Sequence, residues 1–522
     1  MSPKKEYGDF QTPLPLARRV AALVEQEETH VSTVIEPTCG VGAFLQATAE
    51  RLGASASYWG FDLNASYVKA AGSALARLGL RDGTVQQRDF YDIDWRKFIS
   101  EQSGNLLIIG NPPWITNAGM GVIGGDNLPQ KSNFQGHGGF AARTGKANFD
   151  ISEWMLIKLM EALQGRNAAI AMLCKTATAR KVLRHAWVNG LDVGPSSLHL
   201  IDATAEFGVS VDACLLYTHT GLGVSESTAT VYRSLSFDEP LQTFGLFAGE
   251  LVSDIDAYRA LRDLDGLEYR RWRSGVKHDA AQVMEFTRDN GFFVNGLGEQ
   301  CDLEEEYMYP LLKSSDLANS RLKPARFVLL TQRRVGDSTE EIRRTAPKTW
   351  RYLLDHGKEL DKRGSSIYAK RARFAVFGVG DYSFASAKVA ISGLYKTLQF
   401  QSVGSSGEKP IMVDDTCYFI PCDTKSEADF FADLLNSETA QRFISALVFT
   451  DAKRPVTIDV LKRIDLKKLA EHAGQEATAV EYLTSPSLES SHQRLLVFEK
   501  REEYRSGSGG VISSPLPHHR TC

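Results

Sequence analysis

The first 220 residues alternate between short apolar runs rich in β-forming residues and longer stretches with helical periodicity. The runs predict strands at 33–35, 58–61, 84–86, 106–109, 168–173 and 213–217, and the stretches between them predict helices that include 42–52, 66–78 and 151–163. This alternation is typical of a parallel α/β sheet with helices on both faces. Ligands of such sheets bind beyond the carboxyl ends of the strands, so the residues that follow each strand are the first candidates for a site.

The alternation fades after residue 220, and the chain of 522 residues is long enough for two or three domains. We predict an α/β domain at 1–230 and a separate α+β domain at 231–482. Residues 483–522 end in a stretch rich in Ser, Gly and Pro, for which we expect disorder. Within the second domain, residues 377–385 and the following 388–395 predict a β-hairpin, either of the recognition fold or of the structural core.

Several classes of protein do not fit this chain. Its longest apolar run, 168–174, is far shorter than the roughly twenty residues that a membrane-spanning helix needs. The first ten residues lack the apolar core of a signal peptide, so we expect a cytoplasmic protein. The seven cysteines are scattered without paired CxxC spacing, which predicts neither a disulfide framework nor a metal site.

The charge is unevenly distributed along the chain. The formal net charge is −4, but residues 321–373 hold fifteen Lys or Arg against six Asp or Glu. A basic block in a mildly acidic chain indicates one face that binds a polyanion. The alternative is a solvated surface with salt-bridged helices.

A tight turn follows the first predicted strand, in the sequence VIEPTCGVGAFL at 34–45. The strand runs into Glu36, the turn spans Cys39 to Gly42, and a helix begins at Ala43. Small residues let the backbone approach a ligand closely, and the helix start adds exposed N–H donors. Because Leu45 stands where a third glycine would be, the segment is a poor match to the dinucleotide fingerprint.

Two aspartates follow the next two strands. Asp62 lies about twenty residues after the glycine turn, where a carboxylate can accept hydrogen bonds from ribose hydroxyls. Asp89 follows the third strand, where it can accept from an adenine amino group. Either could instead be a helix cap or turn residue, but acidic and glycine positions after three consecutive strands favour a nucleoside site.

The sequence Asn111-Pro112-Pro113-Trp114 comes directly after an apolar strand. Consecutive prolines fix the backbone and remove two donors, so that carbonyl groups remain to face the cleft. The Asn111 side-chain oxygen and the Pro112 carbonyl suit the two hydrogens of an exocyclic amino group. Trp114 adds a flat face for a planar base or a cationic methyl donor.

These segments together resemble a known family. Residues Glu36 to Leu45 resemble motif I of the amino-methylating DNA methyltransferases, and Asn111 to Trp114 match their (D/N)PP(Y/F/W) motif. Phe10 to Pro13 look like motif X of the same family. The motif order over 8–220 is that of the γ group of adenine-N6 DNA methyltransferases, best known from restriction–modification systems.

The resemblance implies a Rossmann-like sheet that binds S-adenosylmethionine, followed by a C-terminal α+β target recognition domain. It implies methylation of N6 of an adenine flipped out of double-stranded DNA, and it leaves open a cognate restriction endonuclease that acts separately. The implied cofactor-binding residues are Thr12, Pro13, Glu36, Pro37, Cys39, Gly40, Gly42, Asp62, Asp89 and Asn111. The implied catalytic residues are Asn111, Pro112, Pro113 and Trp114.

The target base is expected to stack on Trp114 and on Phe207, which lies in a segment at 205–218 that resembles motif VIII. Lys175 and Thr176 follow a strand at the same rim and are further candidates. The glycine-rich segment between Thr116 and Phe149 predicts a mobile loop over the target base, with a plain surface insertion as the alternative. Candidate DNA-reading segments lie at 272–279, 331–334, 362–373 and 451–455.

Other functions remain open at this point. Related NPP(Y/W) motifs serve enzymes that methylate RNA or protein glutamine, and the long basic C-terminal region favours DNA over both. A DNA-binding subunit with a vestigial cofactor fold is disfavoured by the intact Asn111–Trp114 motif. A fused nuclease would rest on the triplet Asp465-Leu466-Lys467 alone. Cytosine-N4 methylation is chemically close, but asparagine at 111 favours adenine.

Overall fold

The computed structural model describes residues 11–28, 30–80, 85–115, 150–369, 371–452 and 454–484. The chain divides into two compact units. The first contains the residues up to 260 together with 446–452, and the second contains 261–445 with the residues from 453 onward. The loop expected at 116–149 and the tail expected at 483–522 fall outside the described residues, except for the last two residues of a helix that ends at Thr484.

The first unit is built on one sheet, with ten strands in the described residues. The strands are β1 (Thr33–Glu36), β2 (Ser57–Asp62), β3 (Val85–Gln87), β4 (Leu106–Gly110), β5 (Ala168–Lys175), β6 (Val193–Ile201), β7 (Ala213–Thr220), β8 (Thr228–Tyr232), β9 (Pro240–Phe247) and β10 (Glu250–Val252). Their order across the sheet is β10-β9-β8-β6-β7-β5-β4-β1-β2-β3. The expected Rossmann-like α/β fold is confirmed.

Two strands run against the others, β9 at one side of the sheet and β7 within the first 220 residues, where we expected a parallel sheet. β7 runs antiparallel between β5 and β6, with Ala168 opposite Thr220 and Lys175 opposite Ala213. Only residues 202–212 connect β6 to β7. A crossover to a parallel strand needs a dozen or more residues, so this short connection returns the chain in the opposite direction.

Helices cover both faces of the sheet. They are α1 (Leu14–Glu27), α2 (Ala43–Leu52), α3 (Ala65–Arg77), α4 (Trp95–Ser100), α5 (Ile151–Ala162), α6 (Thr176–Val188), α7 (Ala203–Phe207) and α8 (Ile255–Leu261). Neighbouring residues of β4 point into opposite cores: Ile108 packs with α5 and α6 on one face, and Leu107 and Ile109 pack with α1 and α2 on the other. A strand buried on both faces reads as a continuous apolar run, which is the pattern of the sequence here.

The sheet order reverses between β1 and β4, because β2 and β3 lie on one side of β1 and β5 lies beyond β4. Ligands of open α/β sheets bind at such a reversal, outside the carboxyl ends of the strands. The residues that follow β1, β2 and β4 therefore surround one crevice.

The first unit continues past the boundary that we expected at residue 230. β8 pairs in parallel with β6, and β9 and β10 extend the sheet further. The chain also returns to this unit at 446–452. There the Phe449 ring packs edge-on against Phe244 at 6.1 Å, and Arg180 lies 4.3 Å over Phe449 and forms an ion pair with Asp451.

The second unit is α+β, as expected. Its strands are β11 (Arg273–Ser274), β12 (Glu285–Asp289), β13 (Phe292–Asn295), β14 (Gln300–Cys301), β15 (Met308–Leu312), β16 (Arg326–Leu329), β17 (Ala387–Ser392), β18 (Gln401–Val403), β19 (Ser405–Ser406), β20 (Lys409–Pro410), β21 (Met412–Val413) and β22 (Cys417–Cys422). They form a sheet β11-β22-β17-β18, a sheet β14-β13-β12-β16-β15-β21 and the pair β19-β20.

The helices after α8 are mostly short. They are α9 (Ala281–Met284), α10 (Ser314–Ala318), α11 (Ile342–Thr345), α12 (Pro347–Asp355), α13 (Gly357–Asp361), α14 (Lys425–Asn436), α15 (Glu438–Leu447), α16 (Ile458–Leu461), α17 (Leu466–His472) and α18 (Glu476–Thr484). The hairpin expected at 377–395 is wrong, because Asp381–Phe384 form a 3₁₀ turn and β17 pairs instead with β18 and β22. Across the described ranges, no helix combines the length and apolarity needed to cross a membrane.

Candidate active site

A cleft open to solvent lies at the carboxyl ends of β1, β2 and β4. The residues that line it are Gln11, Thr12, Glu36, Thr38, Cys39, Gly40, Ala43, Asp62, Asn111, Pro112 and Pro113. The structure thus brings together eight of the predicted site residues, and it adds Gln11, Thr38 and Ala43.

The glycine turn is held from two sides. One oxygen of the Asp62 carboxylate accepts a hydrogen bond from the Gly40 N–H at 2.9 Å, and the other accepts from the Asn64 N–H at 2.8 Å. The Gln11 side-chain oxygen accepts from the Val41 N–H at 3.0 Å. Asp62 therefore shapes the turn in addition to lining the cleft.

Gly42 is required by the packing of two helices rather than by the cleft. It is not among the residues that line the cleft, and its φ is +82°. A Cβ atom on Gly42 would lie 2.7 Å from the Cβ of Ala71 in α3, which is too close for two carbon atoms. Glycine at this position therefore lets the start of α2 pack against α3.

Glu36 is the buried acid of the cleft, with only 3% of its surface exposed. Its carboxylate accepts a hydrogen bond from the Leu45 N–H, in the first turn of α2, at 3.1 Å. Loss of hydration raises the pKa of Glu36 well above its usual value, and the nearby Asp62 carboxylate raises it further, while the Leu45 N–H opposes this shift. A cationic ligand would relieve this concentration of negative charge.

Cys39 contributes a buried thiol. Its backbone N–H donates to the Phe61 carbonyl at 2.8 Å, which ties the turn to β2. Burial, followed by the Glu36 and Asp62 carboxylates, raises the pKa of the Cys39 thiol. A thiol that resists ionisation is a poor nucleophile, so Cys39 has a structural role in the turn.

Besides Gly42, three more of the predicted cofactor residues do not line this cleft. The Asp89 side chain accepts a hydrogen bond from the Tyr91 N–H at 2.9 Å and caps the turn at Phe90–Asp92. Pro13 caps α1, where its carbonyl accepts from the Ala17 N–H. Pro37 lies in the turn after β1. Their contacts with a cofactor stay predictions.

Asn111 contacts the N-terminal segment at the start of the Asn111–Trp114 motif. Its side-chain Nδ2 donates to Oγ1 of Thr12 at 3.3 Å. In this orientation Oδ1 is the acceptor end of the side chain. Pro112 and Pro113 continue from Asn111 along the cleft.

The two rings expected to stack on a target base contact each other. The Trp114 and Phe207 rings meet edge to face, with centroids 5.3 Å apart and an interplanar angle of 73°. A base between two parallel rings needs about 7 Å, because each stacked contact takes about 3.5 Å. Phe207 ends α7, whose Glu206 forms an ion pair with Arg19 of α1.

Lys175 connects the Asn111–Trp114 motif with the start of α5. Its ammonium group donates to the Trp114 carbonyl at 2.9 Å and to the Asp150 carboxylate at 2.6 Å. Asp150 was missed from the sequence, although an aspartate directly before a helix is a common cap. The Thr176 N–H donates to the Asp212 carbonyl at 3.0 Å, and Thr176 does not line the cleft.

The lining residues fit the S-adenosylmethionine that the sequence resemblance implies. The Thr38 hydroxyl is buried at the cleft and has no hydrogen-bond partner among the described residues. Buried polar atoms of this kind are usually satisfied by a ligand or water. Two carboxylates, Glu36 and Asp62, suit hydroxyl and amino donors and a positive charge. The described residues contain no group of three or more potential metal ligands.

In the second unit, many of the cations expected to contact DNA are engaged internally. Lys277 pairs with Asp279 and Asp415, and Arg334 pairs with Asp381. Arg363 lies 3.9 Å over Tyr368 and donates to several backbone carbonyls. In the segment at 451–455, residues 451 and 452 belong to the first unit. The DNA contacts expected of these four segments stay predictions.

Arg333 differs from these cations. Its guanidinium lies 4.1 Å over the Phe384 ring, and it has no ion pair within the described part of the chain. Phe384 contacts Tyr309 edge to face at 5.3 Å, and Lys409 lies 5.4 Å over Tyr309. The exposed Arg333 and the half-buried aromatic rings form one continuous surface of the second unit.

No family model matches the chain. A curated relative, the Type II methyltransferase M.NspV of Nostoc sp., is 41% identical over 470 residues, which cover 90% of this chain and 98% of that protein. A solved structure of the Type IIL restriction-modification enzyme MmeI in complex with DNA is 12% identical, with a TM-score of 0.49, and covers 94% of this chain and 76% of that chain. A type I methyltransferase subunit from Streptococcus thermophilus is 16% identical, with a TM-score of 0.32, over 42% of this chain and 46% of that chain.

Proposed function

The chain belongs to the Type II methyltransferase family, and on that premise we propose that it methylates the N6 amino group of an adenine flipped out of duplex DNA. The observation that carries the proposal is the position of Asn111, Pro112 and Pro113 beside Glu36 and Asp62 in one cleft. An acceptor pair for an amino group thus adjoins a site for a cationic nucleoside. The reaction transfers one methyl group and releases one proton from the amine.

S-adenosylmethionine is the methyl donor of the family, and when bound it supplies a methyl group on a positively charged sulfur that leaves readily. Asp62 and the Gly40 turn would border its ribose, and Thr38 would offer a hydroxyl to its polar groups. Glu36 would balance its positive charge. Asp89 is proposed as the acceptor for its adenine amino group, because it follows β3 on the same edge of the sheet.

Asn111 and Pro112 would accept hydrogen bonds from the target amino group. The lone pair of this nitrogen is delocalised into the purine ring, which makes it a weak nucleophile. Two acceptors on its hydrogens favour a tetrahedral nitrogen and stabilise the positive charge that develops during transfer. Positioning supplies much of the remaining rate enhancement. The side chains of the site thus need to orient the amine rather than to deprotonate it beforehand.

Trp114 would stack on the flipped base, and Phe207 would pack on its other side. The edge-to-face contact of their rings leaves no space for a base between them. We therefore expect Phe207 and the short helix α7 to shift when the base enters. Stacking on Trp114 would offset part of the few kcal/mol that unstacking a base costs.

Recognition of DNA is assigned to the second unit. Its exposed cations without an ion pair among the described residues include Arg333, Arg343, Arg351 and Arg371. The Arg371 guanidinium comes within 3.9 Å of where a Cβ on Gly336 would lie, so it adjoins the loop that carries Arg333. Positive charge grouped in this way suits phosphates. A separate restriction endonuclease of matching specificity would be the partner in the cell.

Two alternatives are less well supported. A fused nuclease loses its main argument, because Asp465 caps α17 through the Lys468 N–H at 3.0 Å and Lys467 pairs with Glu471. Methylation of RNA or of a protein glutamine would use the same acceptor pair. The grouped cations of the second unit favour duplex DNA over a protein substrate.

The test measures transfer of labelled methyl from S-adenosylmethionine to unmethylated plasmid DNA, transcribed RNA and a protein extract. Wild type is compared with Asn111→Ala, and modified bases in the DNA are mapped by sequencing. We expect N6-methyladenine at one short sequence, lost in the variant even at a cofactor concentration that saturates it. Label in RNA or protein alone would overturn the DNA assignment, and methylcytosine would overturn the adenine assignment.

A further inference from the structure

We propose that Lys175 is a positioning residue for methyl transfer, which fixes the Asn111–Trp114 turn by joining it to the start of α5; this inference rests on the proposed function. The Lys175 bridge consists of the ammonium group, the Trp114 carbonyl at 2.9 Å and the Asp150 carboxylate at 2.6 Å. The lysine side chain is 26% exposed, and that of Asp150 is 8% exposed. The bridge is therefore largely screened from solvent.

The Asn111–Trp114 turn has few backbone N–H groups that could hold it in place by hydrogen bonds. Two of its four residues are prolines, which have no backbone N–H. β4 ends at Gly110, directly before the turn, while β5 continues alongside as far as Lys175. Lys175 can thus reach the turn from the neighbouring strand, and it donates to the carbonyl of Trp114.

The other end of the bridge is itself fixed. Asp150 caps α5, because its Oδ1 accepts from the Ser152 N–H at 3.1 Å while its Oδ2 accepts from Lys175. The Ile151 N–H donates to the Ile115 carbonyl at 2.9 Å. Lys175 therefore holds the Trp114 carbonyl, and the start of α5 holds the next carbonyl, that of Ile115.

The pairing also suits the chemistry of the site. A lone ammonium group near the reacting amine would oppose the positive charge that develops there during transfer. Asp150 offsets the charge of Lys175, so that the bridge supplies a donor with little net charge. Loss of the bridge would let Trp114 and the adjoining acceptors Asn111 and Pro112 shift. Displacements of about 1 Å can slow a reaction roughly 100-fold.

A matched control lies close by in the chain. Lys181 of α6 forms an ion pair with Glu153 of α5 at 3.1 Å. This pair also reaches the start of α5, but its lysine lies six residues after Lys175, within α6, and it bonds to Glu153 rather than to the turn. Removing it therefore tests the helix contact alone.

The experiment measures the single-turnover rate of methyl transfer to unmethylated DNA at saturating cofactor, and the dissociation constant of S-adenosylmethionine by calorimetry. We expect Lys175→Met to lower the rate by ~10- to 100-fold and to change cofactor binding less than ~3-fold. Lys175→Arg should recover part of the rate, because arginine can donate to both oxygens. Lys181→Met should keep the wild-type rate within ~3-fold.

Asp150→Asn keeps an oxygen for the cap of α5 but loses the charge, so it is expected to fold and to lose rate in the same direction. The double variant with Lys175→Met should lose little more than the single variants, because both changes break one bridge. A wild-type rate in Lys175→Met, an equal loss in Lys181→Met, or full additivity with Asp150→Asn would overturn the proposal. Absence of methyl transfer by the wild-type protein would instead overturn the proposed function.

Discussion

The side-chain amide nitrogen of Asn111 donates a hydrogen bond to Oγ1 of Thr12 across 3.3 Å, which leaves the amide oxygen as the acceptor end of the side chain. Thr12 precedes α1, far from Asn111 along the chain, so the N-terminal segment contacts a side chain that we propose to be catalytic. Gln11, next to it, holds the glycine turn through Val41. One short segment thus links the glycine turn with the proposed acceptors of the amine.

Thr12→Val should lower kcat by ~3- to 10-fold at saturating cofactor, which corresponds to one hydrogen bond of about 1 kcal/mol. Valine has the shape of threonine but cannot accept from Asn111. Thr12→Ser keeps the oxygen and is the control, with a kcat near wild type. Equal kcat values for the valine and serine variants would show that Thr12 does not orient the amide.

Binding of S-adenosylmethionine should tighten as pH rises through the pKa of Glu36. Burial raises this pKa above 4.5, so Glu36 is neutral below it and attracts a cationic ligand only above it. Because the folded protein holds this proton more tightly than the unfolded chain, the free energy of unfolding of the ligand-free protein should fall as pH rises from about 4.5 through the raised pKa. Calorimetry across pH should give a sloping profile for wild type and a flatter one for Glu36→Gln. Parallel profiles would contradict this role.

Gly42→Ala should destabilise the first unit by about 1–3 kcal/mol or more. The alanine would combine a φ of +82° with a clash against Ala71. Gly79→Ala is the control, because Gly79 has a φ of +75° and nothing within 4 Å of an added Cβ. The difference between the two melting temperatures isolates the contact of α2 with α3. Equal shifts would mean that backbone strain alone explains the glycine.

The second unit should become more stable as pH rises from about 7 toward 10.5, because of Lys388. This lysine is 1% exposed, and burial lowers its pKa to about 7. In the unfolded chain the group stays protonated up to its ordinary pKa of 10.5, so the unfolded state binds more protons across this range. Its ammonium bonds to the Ala385 carbonyl at 2.9 Å.

Lys388→Met should therefore raise stability at pH 6.5, with a gain on the order of a few kcal/mol that shrinks as pH rises. Urea unfolding at several pH values would measure this gain in unfolding free energy. Hydrogen exchange of the β17 amides would report the stability of the second unit in particular. Lys425→Met removes an exposed lysine that pairs with Asp429, and it should leave the slope unchanged. A pH profile of Lys388→Met that matches wild type would contradict the neutral buried lysine.

Arg333→Ala should weaken DNA binding and reduce the slope of log affinity against log salt by about 1, as expected for one lost phosphate contact. Arg334→Ala, on the same loop, removes a guanidinium that Asp381 already engages, so its effect should be smaller. Fluorescence anisotropy of a labelled duplex at several salt concentrations measures both. A slope unchanged by Arg333→Ala would exclude the contact.

Local sequence patterns predicted the parts of the site that lie directly after strands. Asp62 and Asn111 follow apolar runs whose ends could be read from the sequence, and both line the cleft. Asp89 also follows a strand, but its side chain caps the next turn and does not line the cleft. The pattern locates the edge of the sheet, whereas side-chain direction depends on the turn that follows.

Contacts between distant segments were not predictable. Nothing near Lys175 in the sequence indicates that it meets Trp114 and Asp150, because the sheet order brings them together. The orientation of β7 was missed for a related reason, since its composition matches a parallel strand and only the short connection at 202–212 decides its direction. Basic composition likewise could not tell Arg333 from the paired Arg334.

Because residues 446–452 return to the first unit, the second unit is not one continuous stretch of chain that relatives could exchange as a whole. Phe449 and Asp451 pack against Phe244 and Arg180, and the Ala446 carbonyl accepts from the Ser253 N–H at 2.7 Å. Exchange of the second unit between relatives would therefore need three junctions, near 260, 446 and 452, because the residues from 453 onward belong to it as well. Truncation at residue 260 would remove the Phe449 ring from Phe244 and leave Arg180 without its partner Asp451, so a fragment that ends there would be prone to aggregate.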